Sequence, residues 1–136
     1  MSFFESIEYC NLNSRQQENY NFQKVSAELA DYGFNCLRLT DDWQGADFIA
    51  CHIDGERFLK IQLKGRLTVD MKYHGKEIYI AFFDGEDCYV YPHDEVLERI
   101  LALGKMKGTT SWEEGRSYAW PGLPKWAISL MKEFKV

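Results

Sequence analysis

A chain of 136 residues with an apolar fraction of 46%, including nine Phe, eight Tyr and four Trp, has the size and core material of one globular domain spanning residues 1–136 and excludes intrinsic disorder. The net charge of −5 excludes an all-over cationic coat, yet residues 57–76 hold Arg57, Lys60, Lys64, Arg66, Lys72 and Lys76 against Asp70 alone, so that window is +5 and the remainder −10. No apolar run is long enough to span a membrane, the opening MSFFESIEYC lacks a signal peptide's features, and Cys10, Cys36, Cys51 and Cys88 form no C-x-x-C pair; a cytoplasmic protein with free thiols is expected.

Residues 14–32 read as a helix. Ser14 followed by Gln17 is a capping-box pattern, and Tyr32-Gly33 supplies a glycine where a helix ends. Phe22, Val25, Leu29 and Tyr32 recur at spacings of three and four, and Glu18 lies on the same stripe, which points a glutamate toward the core side. Phe34 to Leu39 reads as a strand, and three further β-rich segments follow at about 46–53, 56–69 and 77–91, the last punctuated by Asp84-Gly85. Asp94 to Leu103 has helical spacing after Pro92, and Pro124 to Phe134 reads as a closing helix. The stretch between them, GKMKGTTSWEEGRSYAWPGL, carries no clear periodicity and is assigned no state. The order of elements implies an α/β fold with a central mixed β-sheet flanked by helices.

Asp54-Gly55 between two alternating apolar runs is a strong hairpin signal and favours a two-residue turn. Counting outward from Ile53 opposite Glu56 pairs Cys51 with Phe58, Ile49 with Lys60, Phe48 with Ile61, and Asp47 with Gln62. Residues directly opposite in an antiparallel pair share a face, and Lys64, two residues beyond Gln62, joins that face. The sequence therefore gathers Asp47, Gln62 and Lys64 at one end of a hairpin, provided that neither strand is bulged.

A carboxylate and an amide oxygen are hard ligands suited to Mg²⁺ or Mn²⁺, and an adjacent ammonium can position or activate a water molecule. The chemistry implied is metal-assisted hydrolysis. Phosphodiester cleavage suits it, since Lys60, Arg66, Lys72 and Lys76 supply cations for a nucleic-acid backbone. Other readings stand beside this one. Lys60, Gln62 and Lys64 alternate with Leu59, Ile61 and Leu63 as on any half-exposed strand; Asp47 suits an exposed strand end or a salt bridge to Lys64; Glu18 in a first helical turn favours the helix dipole. His52, His74 and His93 have no metal-binding spacing, and no G-x-S-x-G elbow or phosphate-binding P-loop is present.

The order of these residues resembles the PD-(D/E)XK nuclease superfamily, a restriction-endonuclease-like group, and in particular its archaeal Holliday-junction-resolvase branch. SRQQENYNFQKVSAELADYGF supplies a first helix carrying Glu18, QGADFIA an aspartate opening a strand, and FLKIQLKG a Q-x-K in place of E-x-K. The resemblance spans about residues 14–69. It implies that Asp47, Gln62 and the Leu63 carbonyl hold Mg²⁺, that Glu18 assists the metal, that Lys64 acts on the attacking water, and that DNA is the substrate. Cutting two strands with one site per chain implies a homodimer. Ala46 stands where the superfamily name has proline, and Gln62 removes one negative charge from the metal site. A catalytically inactive nucleic-acid- or protein-binding module on the same fold is the alternative that Gln62 raises.

Overall fold

The computed structural model describes residues 2–136. Helix α1, Ser14–Ala30, is capped one residue before the Ser14 pattern. The Asn13 side chain accepts from the Gln16 N–H, and the Gln16 side chain accepts from the Asn13 N–H, both at 2.9 Å. The chain leaves the helix through Gly33 at φ +85°, a left-handed conformation that glycine adopts without steric cost. Val25 and Leu29 are buried as their spacing predicts. Tyr32 is 52% exposed, because the helix has ended before it.

Seven strands follow: β1 Phe34–Trp43, β2 Ala46–His52, β3 Phe58–Leu63, β4 Leu67–Asp70, β5 Ile78–Asp84, β6 Asp87–Pro92 and β7 Ser117–Trp120. Five of them form a mixed sheet in the order β1-β2-β3-β5-β6, with β3 and β5 parallel and the other neighbours antiparallel. The expected segment 56–69 breaks at Gly65-Arg66, where the chain leaves this sheet. Strand β4 then pairs with β7 in a separate two-stranded sheet. The segment 104–123 thus contains a strand, and also the short helix α3, Thr110–Glu113; α2 spans His93–Ala102 and α4 Lys125–Met131.

Alternation along the central strands divides the apolar side chains between two cores. On one face, α1 places Val25 and Leu29 against Phe48, Ala50, Ile61, Ala81, Cys88 and Val90. On the other, Ile78, Ile80, Phe82 and Tyr91 pack with Val96, Leu97 and Ile100 of α2, Ala127 and Met131 of α4, and Trp112 and Trp120 from the C-terminal segment. Helices therefore flank both faces of the sheet. Each fully buried Ile contributes roughly 1.5–3 kcal/mol relative to leaving it in water.

Two buried side chains tie the small sheet down, Tyr91 to the large sheet and His93 to the start of α2. The Tyr91 hydroxyl donates to the Thr68 carbonyl at 2.6 Å and accepts from the Thr68 N–H at 3.1 Å, and burial pushes its phenol up. His93 Nε2 accepts from the Asp70 N–H at 2.9 Å. The opposite sheet edge, β1, is the terminal strand of the order, and Leu37 there is 53% exposed, with Phe58 on β3 60% exposed. No helix of the described residues is long and apolar enough to cross a membrane.

Candidate functional site

The β2–β3 ladder has the register counted from Asp54-Gly55: Cys51 opposite Phe58, Ala50 opposite Leu59, Ile49 opposite Lys60 and Phe48 opposite Ile61. The turn itself is wider than two residues. His52 N–H still donates to the Arg57 carbonyl at 2.9 Å, but the Ile53 N–H turns away to the Gly33 carbonyl at 2.9 Å. Asp54 fastens the loop by accepting from the Glu56 and Arg57 N–H groups and from Arg57 Nε, and these donors hold its carboxyl well below the usual range. Widening the loop by one residue on each strand leaves the pairing unchanged, so no side chain changes face.

Continuing the same count sets Asp47 opposite Gln62. Asp47 Oδ2 accepts from the Leu63 N–H at 2.8 Å, so the carboxylate caps the end of the ladder with one of its two oxygens. On the other side of β3, Gln62 lies opposite Ile80 and Leu63 opposite Ala81, and the Lys64 N–H donates to the Ala81 carbonyl at 2.9 Å, carrying β3 one residue beyond its last ladder pair. Gln62 Nε2 donates to the Leu63 carbonyl at 3.3 Å. Lys64 Nζ lies 5.5 Å from the centre of the buried Tyr73 ring. The tight β1–β2 turn packs on that ring too. A Cβ on Gly45, at φ +96°, would meet Tyr73 carbons at 3.0 Å, so any side chain there would push the turn off the ring and disturb the start of β2 beside Asp47.

Glu18 reaches the neighbourhood from α1, on the other face of the sheet. It is solvent-exposed rather than turned into the core, and its carboxylate pairs with Arg38 Nη2 at 3.0 Å. Arg38 lies opposite Phe48 on β1, stacks over Phe22 at 5.3 Å and also donates to Asn19 Oδ1 at 2.5 Å. This arginine escaped the sequence reading; its signal was a lone cation inside the apolar run FNCLRL. The Asp47 carboxyl is raised above its ordinary value. Burial raises it most, the Leu63 N–H lowers it, the Glu18 charge raises it, and Lys64 and Arg38 lower it. Glu18, Asp47, Lys64 and Arg38 are therefore one electrostatic cluster, although Asp47 and Lys64 are not joined by an ion pair among the described residues.

The donor chemistry fits a hard divalent cation. Asp47 has one oxygen beyond its Leu63 bond, Gln62 uses its amide nitrogen toward the Leu63 carbonyl and leaves Oε1 without a hydrogen bond among the described residues, and that carbonyl adds a third oxygen. The set is lean. Among the described residues no three His, Cys, Asp or Glu side chains converge as a metal cluster, and Glu18 is engaged by Arg38.

Of the six cations of residues 57–76, Arg57 is held by Asp54 in the hairpin loop, and the other five fall into two groups. Lys72 lies 5.2 Å from the Tyr73 ring that also carries Lys64, and exposed Arg66 follows Lys64 by two residues. Lys60 instead donates to the Lys76 carbonyl at 2.5 Å and borders a second cleft with Pro92, His93 and Asp94. Lys64 and Lys72 thus share the Tyr73 ring, with exposed Arg66 between them in the chain, while Lys60 is tied to the backbone of Lys76.

No family model matches the chain, and no curated protein matches it in sequence. Among solved structures the chain is similar to a bacterial homing endonuclease, at 18% sequence identity and a TM-score of 0.46, over 62% of this chain and 69% of that one.

Proposed function

We propose that the chain is a metal-dependent nuclease of the PD-(D/E)XK type that hydrolyses phosphodiester bonds of nucleic acid, most readily DNA. The observation that carries this reading is the meeting of Asp47, Gln62, the Leu63 carbonyl and Lys64 at the end of one hairpin, where burial and the Glu18 charge raise the Asp47 carboxyl. Asp47 Oδ1, Gln62 Oε1 and the Leu63 carbonyl are the groups that hold Mg²⁺ or Mn²⁺, with Glu18 assisting. The metal supplies polarisation of the phosphate and neutralises charge developing on it. Lys64 orients the attacking water and keeps it close to the phosphorus. Arg66 and Lys72 hold the flanking backbone, with Lys60 and Lys76 extending the grip. One site per chain means that double-strand cutting uses a homodimer.

The test is cleavage of duplex, single-stranded, flapped and four-way DNA, and of RNA, with Mg²⁺ or Mn²⁺ and with a chelator. Wild type cuts only with metal, and Asp47→Ala and Lys64→Ala each lower the rate on the order of 10²–10³-fold, the scale for removing one electrostatic group from a reacting centre. A second reading has its own observation. Gln62 brings no charge, and its amide and the Glu18 carboxylate are both engaged by protein partners, which suits a binding module that has lost its metal. Gln62→Glu separates the two: it raises metal-dependent cutting in a working nuclease, and leaves an inactive module inactive.

A further inference from the structure

Beside the Asp47 cluster, between α1 and the ends of β3 and β5, lies a cleft of about 590 Å³. Its floor is apolar, made by half-buried Leu63 and Phe83 and backed by fully buried Val25 and Ala81. One wall is aromatic. Tyr20 on α1 meets the Tyr9 ring edge-on at 5.3 Å, and Tyr9 is held there by the Asn21 side chain, which donates to its hydroxyl at 2.9 Å. The border carries charge of both signs. Lys24 Nζ lies 5.3 Å from the Tyr20 ring, and Glu28 and Glu86 line the cleft from α1 and from the β5–β6 turn, whereas the Lys64 ammonium turns to the Tyr73 ring on the other face of the sheet. Leu63 and Lys64 line this cleft, and the Leu63 N–H is the donor to Asp47, so the cleft and the Asp47 cluster meet at the end of β3.

An aromatic wall over an apolar floor suits a planar ring, ammonium groups suit a phosphate, and carboxylates accept from the ring N–H and amino groups of a base. A paired base in a duplex has its faces covered by its stack and its edge by its partner. Only an unpaired nucleotide offers face, edge and phosphate together. We propose that this cleft receives one unpaired nucleotide of the bound strand, with its base against Tyr20 and its phosphate toward Lys24, so that the substrate carries a single-stranded or extruded nucleotide next to the bond that is cut. The proposal rests on the nuclease reading of the adjoining cluster and names its substrate class.

The test is binding of the full chain in EDTA, by fluorescence anisotropy, to a blunt DNA duplex, the same duplex with a one-nucleotide bulge, the same bulge made abasic, and single-stranded DNA and RNA. The bulged duplex and at least one single strand bind on the order of tenfold or more tightly than the blunt and abasic duplexes, the range for stacking one base. Tyr20→Ala removes that difference and Tyr20→Phe keeps it. Equal binding of bulged and abasic duplexes by wild type overturns the proposal, and that comparison needs no variant to fold. Metal-dependent cleavage measured in parallel separates the two readings. Base-dependent binding without cleavage overturns the nuclease and leaves the cleft; cleavage indifferent to the base overturns the cleft and leaves the nuclease; no binding to any probe overturns both.

Discussion

Two polar side chains near the centre of the molecule, His93 and Asp47, are treated in opposite ways. His93 is fully buried and fully paired. Its Nε2 accepts from the Asp70 N–H, which places the proton on Nδ1, and Nδ1 donates to Asp94 Oδ1 at 2.9 Å. The other Asp94 oxygen accepts from the Gly75 N–H at 2.9 Å. The chain of partners closes on backbone, and it joins the start of α2 to the end of β4. Asp47 has one backbone donor and then faces a glutamate of its own sign. Both border Tyr73, whose ring meets His93 at 5.6 Å and whose phenol is raised chiefly by burial and in small part by the Asp47 charge. A closed polar network is what a fold keeps for its own stability. A half-paired carboxylate in a poorly solvated place costs stability, and such a cost is the mark of a group kept for something else.

The sharpest way to break this comparison is His93→Ala, which strands the Asp70 N–H and the Asp94 carboxylate. It lowers stability by about 3 kcal/mol in urea unfolding. An unchanged midpoint would mean that the network is ornamental. The pH dependence follows from the same residue. Burial holds His93 below its ordinary 6.5, against the raising influence of Asp94 and Asp70, so the unfolded chain takes up the proton first as pH falls. Stability contributed above pH 6.5 is therefore lost progressively below it. Unfolding of wild type and His93→Gln compared between pH 7.5 and 5 shows this slope in the wild type and a flatter curve in the variant.

Asp47→Asn acts in the other direction. The amide oxygen still accepts from Leu63 while the charge facing Glu18 disappears, so stability rises by roughly 0.5 kcal/mol while metal-dependent cleavage is lost. A loss of stability would show that the ionised carboxylate is structural, and would move Asp47 into the same class as His93. The smallest net effect is expected at Glu18→Gln, because the exposed pair with Arg38 is worth about 0–1 kcal/mol and its loss is offset by relief of the repulsion with Asp47. Calorimetry that found a much larger loss would make the Glu18–Arg38 pair a fold element in its own right.

Much of this arrangement was legible in the residues, and what was not legible is non-local. The hairpin register could be counted because a D-G turn between alternating runs fixes which side chains face each other, and it held although the loop opened by one residue on each strand. The cap of α1 was misplaced by one position, because Asn13 and Ser14 are both good caps and each has a glutamine three residues on, so the pattern fits either register. The pairing of Glu18 with Arg38 could not be counted, since it joins a helix to a strand across a turn whose geometry Gly33 sets. Strand β7 was invisible for a stronger reason. SYAW is a strand only because Leu67–Asp70 lies beside it, and nothing near residue 117 in the sequence says so.

That distance along the chain also orders events in time. Asp47 meets Leu63 across a hairpin of neighbouring residues, whereas Leu67 waits for Trp120. Local pairings form before distant ones, because closing a long loop costs entropy before any contact rewards it. In pulse-labelled hydrogen exchange, the amides of Phe48 and Ile61 gain protection ahead of those of Val69 and Tyr118. The candidate site is thus assembled in the first stage of folding, and the C-terminal third arrives later as a brace behind a centre that already has its shape.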